Sequence, residues 1–146
     1  MGNLTANLNW EEFSCDCKNA DCPAKLVAHM PLVQVIQGAA DHFKERRKAT
    51  RVRVEITGGN RCKPHNIDVQ MREAKKTRAE AEASKSTHID CIAADHKIFV
   101  EVGGEWQMIE PKELYDYYDK KFFDSHGVGL YSNRVHIDTR KKKARW

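Results

Sequence analysis

The chain has 146 residues, 32% of them charged, and a net charge of +4. That length suits one domain with a single core. No apolar run approaches the roughly 18–20 residues that a membrane-spanning helix needs, so a membrane span is not expected.

Residues 1–23 read as an N-terminal arm, in which Asn9 caps a helical turn whose Trp10 and Phe13 pack on one face. Residues 1–10 lack both a basic start and an apolar stretch, so no secretory signal is visible and the chain is expected to be cytoplasmic as synthesised. The arm also holds Cys15, Cys17 and Cys22. With Cys62 and Cys91 the cysteines number five, which argues against an obligatory disulfide framework. Their spacing is not that of a common zinc finger. Cys15, Cys17, Cys22 and Cys62 either remain free thiols or hold a second, structural zinc.

Residues 24–47 carry an apolar stripe of Leu26, Met30, Val33, Ile36, Ala40 and Phe43 at helical spacing. Pro31 opens the main helix there and separates it from a shorter one. Residues 51–57 alternate strictly, as a half-buried strand does, and Gly58-Gly59-Asn60-Arg61 breaks that strand. Residues 67–84 are rich in Ala, Glu, Lys and Arg and read as one solvated surface helix.

The next stretch is Ser86-Thr87-His88-Ile89-Asp90-Cys91-Ile92-Ala93-Ala94-Asp95. It sets an imidazole and a carboxylate seven positions apart. Ala93 to Val102 is β-prone, Gly103-Gly104 is a hairpin signal, and residues 105–109 form the returning strand. His96 must face away from Asp95 on such a strand. Pro111 opens an amphipathic helix that runs to about Phe123, with Leu114, Tyr117, Tyr118 and Phe122 on its apolar side. Residues 127–131 begin the last strand region. Alternation over residues 134–140 then puts His136 and Asp138 on one face and Val135 and Ile137 on the other. Residues 140–146 form a solvated basic tail, whose last residue, Trp146, is expected to dock back on the body of the protein. Aromatics do not alternate with its basic residues, so no nucleic-acid platform is expected. The element order predicts one α+β domain over residues 1–146, a small antiparallel sheet packed with helices.

Two histidines and a carboxylate are the usual protein ligands of an open, catalytic zinc site. The short motif His-Glu-x-x-His is absent. Ser86-x-His88, Ala93-x-Asp95 and, downstream, His136-x-Asp138 together resemble the zinc D-Ala-D-Ala carboxypeptidase family. That family includes phage L-Ala-D-Glu endopeptidases and the vancomycin-resistance dipeptidases. Cys91 stands where the family has glycine. Trp10-Glu11-Glu12-Phe13-x-Cys15 and Gly127-Val128-Gly129-x-Tyr131 are similar to family segments. So are Gly59 and Arg61, with Asn66 after them, although the family's serine and tyrosine are replaced by Gly58 and Asn60.

The resemblance runs from Trp10 to Trp146 and implies a Hedgehog/D-Ala-D-Ala carboxypeptidase-like fold whose sheet carries the zinc site. It implies Zn²⁺ held by His88, Asp95 and His136. The activity implied is hydrolysis of peptidoglycan stem peptides by metal-activated water, as a D-Ala-D-Ala carboxypeptidase or an L-Ala-D-Glu-type endopeptidase. Arg61 is then expected to grip a substrate carboxylate. Ser86 either touches substrate or holds the motif turn. Other branches carry an acidic residue three before the last histidine, and that position is Asn133 here. Asp138 therefore takes the part of catalytic base, or else orients a ligand. The expected enzyme is a monomer without nucleic-acid partner that reaches the cell wall after holin-type release. The rival reading is a non-catalytic, zinc-containing module of the same fold that binds an envelope or phage structure, as the Hedgehog signalling domain serves in binding.

Overall fold

The computed structural model describes residues 2–146; Met1, the first residue of the expected domain, lies outside them. The alternation after Arg51 becomes β1 (Arg51–Gly58), with Val52 and Val54 buried and Arg51, Arg53 and Glu55 exposed. β1 pairs antiparallel with the long strand β2 (Ala93–Val102). Gly103 and Gly104, at φ 61° and 85°, turn the chain into β3 (Glu105–Met108), because glycine enters the left-handed region without a Cβ penalty. β4 (Gly127–Leu130) and β5 (Val135–Asp138) follow, and β5 pairs with the N-terminal half of β2. A two-residue strand, β6 (Ala144–Arg145), closes the order β1-β2-β5-β4-β6, with β3 off the path against β2.

The molecule is α+β, but its sheet is mixed and not purely antiparallel as expected. The chain turns back after β5 and lays β6 parallel to β4, with Trp146 N donating to Val128 O and Leu130 N to Trp146 O. Lys141, Lys142 and Lys143 are exposed as expected of a basic tail, but residues 144–146 are bound to the body of the protein. Arg145 donates to Asp119 at 2.7 Å and to the carbonyls of Phe122, Ser125 and His126.

One face of the sheet packs on α1 (Met30–Arg46) and α4 (Pro111–Lys121). Leu32, Val33, Ile36, Ala40 and Phe43 meet Val54, Ile98, Val100, Leu114, Val128 and Ile137 in one core. Burying each large side chain there is worth about 1.5–3 kcal/mol. Leu26 and Met30 are exposed, against the expected stripe, since the helix begins only at Met30. Phe13 is buried but Trp10 is not, so the two do not share a packed face. The helix expected over residues 67–84 is two: α2 (Lys63–Arg72) and α3 (Arg78–Glu82). Thr77 and Glu80 cap each other's backbone amides at the second start, and Lys75 at φ 54° breaks the first helix. Among the described residues, no helix is long and apolar enough to cross a membrane.

Period-two alternation assigns the two faces of β2 and β5. Ala94, His96 and Ile98 face the core, where His96 Nε2 lies 2.9 Å from the Tyr118 hydroxyl. Asp95 projects to the opposite face, and the register sets it directly across from His136.

Candidate metal centre

Three short segments converge on that opposite face. A turn over residues 86–92 supplies His88, β2 supplies Asp95, and β5 supplies His136 and Asp138. Ser86 Oγ accepts from the His88 amide at 3.3 Å, so Ser86 holds this turn, although it also lines the groove beside it. Cys91 sits in the same turn at φ 57°. A non-glycine residue there costs about 1–2 kcal/mol, which explains why glycine suits the position. Its side chain packs against the other cysteines.

The ligand atoms of His88, Asp95 and His136 lie within 4.8 Å of one another, and all three side chains are buried. His136 Nδ1 is 3.0 Å and His88 Nε2 3.5 Å from Asp95 Oδ1. The far nitrogen of each ring is fixed by an acceptor. His88 Nδ1 lies 2.7 Å from the carbonyl of Gly59, and His136 Nε2 lies 2.9 Å from Asp138 Oδ2. A carbonyl accepts only, so His88 carries its proton on Nδ1 and turns the lone pair of Nε2 inward. In neutral His136 the Asp138 carboxylate likewise selects Nε2–H and frees Nδ1. Two lone pairs and a carboxylate then aim at one point, an arrangement that needs a cation or a proton between them. Donors of this kind and number fit zinc with an open position.

The electrostatics follow from burial and neighbours. Burial pushes the His88 imidazole below its ordinary pKa, toward the neutral form that ligates. Burial acts the same way on His136, but hydrogen bonds to Asp138 and Asp95 outweigh it and the net direction is up. Asp95 is held well below the usual carboxylate range: burial opposes ionisation, and hydrogen bonds from His136 and His88 overcome it.

Asp138 is fully buried. Oδ1 accepts from the amides of Gly127 and Arg140, each at 3.1 Å, and from Arg140 Nε at 2.7 Å. Oδ2 accepts from Arg140 Nη2 at 2.6 Å and Thr87 Oγ1 at 3.1 Å and faces His136 Nε2. Both oxygens are occupied and neither meets solvent. That is the position of a side chain that orients His136, the second of the two parts the sequence left open for it. Burial raises its pKa, yet the bonds from His136 and Arg140 more than compensate and keep it ionised. Gly127 and Gly129 stand opposite Asp138 and His136 on β4. A Cβ at Gly127 would collide with the Asp138 carboxylate, and one at Gly129 would lie 2.5 Å from the Trp146 indole.

The other oxygen of Asp95, Oδ2, faces two guanidiniums, Arg61 and Arg134, each at 3.7 Å. Arg61 comes from the loop after β1, where the register shifts between Ile56 and Gly58 and sets Gly58 across from Asp95. Two groove lobes of about 490 and about 430 Å³ meet here and share Arg61, Val69, Glu73, Asp95 and Arg134. The first lobe continues past His65 and Lys97, the second past His88, Tyr131 and Trp146. Asn66, singled out with Arg61, is buried within α2 instead.

Arg134, Arg140 and Thr87 were missed in the sequence. Arg134 and Arg140 flank the His136-x-Asp138 segment at two positions either side, on the same face of an alternating strand, and that spacing was the available signal. The Gly59 carbonyl is backbone and leaves none.

Compared with family models, with curated proteins and with solved structures, the chain finds no match in any of the three.

Proposed function

We propose that this protein is a zinc-dependent peptidase acting on peptidoglycan stem peptides. The observation that carries the reading is the convergence of His88, Asp95 and His136, with the outer nitrogen of each imidazole already held, at the meeting point of two groove lobes. Zinc held by these three side chains would supply Lewis acidity to the scissile amide.

The chain's own residues account for the rest. Gly59 and Asp138 keep the two imidazoles in the ligating tautomer. Arg61 and Arg134 present guanidinium groups beside the reacting position, suited to a substrate carboxylate or to the developing oxyanion. Arg72, Lys85 and Lys97 add positive charge along the two lobes and outnumber Asp16 and Glu73 there, which suits an acidic peptide. The groove runs to both sides of the ligands, and this favours cutting within a chain, as an L-Ala-D-Glu-type endopeptidase does, over trimming its end. The substrate class rests on the resemblance of the His88–Asp95 and His136–Asp138 segments.

Digestion of purified peptidoglycan by the zinc-loaded protein, with the fragments analysed, tests this. New amino termini within the stem peptide are expected, and His88→Ala or His136→Ala should abolish them together with zinc. Release of free D-Ala alone would assign a carboxypeptidase. Arg61→Ala should keep zinc and lose cleavage, and Arg61→Lys should not fully restore it, because an ammonium lacks the planar fork.

A second reading has one observation in its favour. Asp138 is sealed, so the side chain with the best sequence claim to be the base does not reach solvent. A zinc-containing binding module of the same architecture would need no base. It predicts tight binding to peptidoglycan or to an envelope structure without any new termini.

A further inference from the structure

We propose that Cys15, Cys17, Cys22 and Cys62 form a second metal site, a tetrathiolate zinc clamp that fastens the N-terminal arm to the loop bearing Arg61. Four sulfurs from two segments 40 residues apart have their Sγ atoms within 4.8 Å of one another. Zinc at about 2.3 Å from each of four tetrahedral sulfurs sets them about 3.8 Å apart. Cys15 Sγ and Cys62 Sγ are separated by 3.8 Å. All four are free cysteines; Cys15 and Cys22 are buried, Cys17 and Cys62 partly so.

Burial pushes the free Cys62 thiol up to about 12, and two backbone features act against it to favour negative charge on the sulfurs. The backbone amide of Cys62 donates to Cys15 Sγ at 3.4 Å. Cys62 is also the N-cap of α2, so the positive end of a ten-residue helix points at the cluster. Among the described residues, the only other buried apolar one in this cluster is Ala24, so the sulfurs themselves make up its centre. Closed Cys₄ coordination leaves no position for water, which distinguishes this site from the open one at His88, Asp95 and His136.

The clamp has a mechanical consequence. The Asn60 amide donates to the Phe13 carbonyl at 2.8 Å, and its side chain donates to the carbonyls of Val27 at 2.7 Å and Ala24 at 3.3 Å. The Arg61 amide donates to the carbonyl of His88 at 3.0 Å. Residues 59–62 thus lie between the cysteine cluster and the ligand turn. They carry both the Gly59 carbonyl that orients His88 and the Arg61 guanidinium. Binding zinc releases the thiol protons to solvent and ties the arm to this loop.

The test empties the other site first. The full chain with His88→Ala and His136→Ala, expressed with zinc, should retain one zinc per chain by elemental analysis. Its cobalt form should show intense thiolate-to-cobalt charge-transfer absorption, and adding Cys17→Ser to the same chain should weaken that band. Absence of both zinc and the band in the doubly His-substituted chain, while it still unfolds cooperatively, overturns the proposal without any cysteine variant having to fold. A disulfide in that chain, seen by mass before and after reduction, overturns it as well. The outcomes separate this site from the peptidase reading. One zinc in the wild type that survives loss of both histidines supports the clamp and sinks the zinc-peptidase reading. One zinc that is lost with the histidines does the reverse.

Discussion

Asp138 shows how much one side chain's meaning depends on its neighbours. Its six hydrogen-bonding contacts come from Gly127, Arg140, Thr87 and His136, and it has no exposed surface. Replacing it by Asn keeps the shape but removes the charge that Arg140 pairs with and weakens the acceptor for His136 Nε2–H. Loss of such an orienting partner costs about 10–100-fold in metal affinity. We expect Asp138→Asn to bind zinc that much more weakly, with cleavage restored by excess zinc. A base would behave otherwise: unchanged zinc affinity and turnover down by about 10²–10⁴-fold. Zinc titration and turnover measured on the same variant decide between the two. His88, Asp95 and His136 were legible as a set because the segments that carry them resemble the motifs of a zinc peptidase family, and two imidazoles with a carboxylate suit a metal. Asp138's part was not, because the Gly127 amide reaches it only once β4 and β5 pair, and the Thr87 hydroxyl only once the ligand turn folds over it.

At the scale of elements, the C-terminal segment is the feature most changed by folding. Read as sequence, five of its seven residues from 140 to 146 are basic, a composition that suits solvent. In the structure Arg145 is instead a fastening. Its guanidinium serves the carbonyls of Phe122, Ser125 and His126, beyond the C-terminal end of α4, as well as Asp119. Hydrogen bonds to a charged group contribute about 1.5–3 kcal/mol, and several share this donor. Arg145→Ala should destabilise the fold by about 2–3 kcal/mol, lowering the melting temperature by roughly 5 °C or more. A thermal melt unchanged within a degree or so would show that β6 is held by its backbone bonds alone. The division of residues 67–84 into α2 and α3 belongs to the same scale. Propensity marked the stretch as helical, but the mutual capping of Thr77 and Glu80 starts a new helix inside it.

For the whole molecule, the core itself carries a pH response. His96 is completely buried beside Tyr118, and burial pushes its imidazole down to about 4, from an ordinary value near 6.5. The folded state therefore holds it neutral while the unfolded chain takes up a proton. Stability from this group is fully present above about pH 6.5, declines as pH falls, and is lost by about pH 4. A shift of this size corresponds to about 3 kcal/mol. His96→Gln keeps a polar side chain near Tyr118 and removes the titration. Unfolding free energies measured for both chains at the same zinc loading should diverge at neutral pH and converge in acid. Parallel curves would place the acid sensitivity elsewhere, and the metal ligands would then be the first groups to examine.

Local pattern by itself determined the α+β class, the hairpin at Gly103-Gly104 and the strand faces of Asp95 and His136, whereas the set of candidate ligands came from the resemblance of the segments around His88, Asp95 and His136. The first three follow from periods of two and 3.6 residues and from turn chemistry, which act between near neighbours and need no knowledge of the rest of the chain. Tertiary structure alone decided the parallel closure by β6, the Gly59 carbonyl behind His88, the pairing of Arg61 with Arg134 around Asp95, and the meeting of Cys62 with the cysteines of the arm. Each joins segments tens of residues apart, or uses a backbone carbonyl that every residue type possesses. The cysteines make the point most simply: an odd count at irregular spacing carries no register, and only the docking of residues 13–27 on the loop after β1 brings four sulfurs within 4.8 Å of one another.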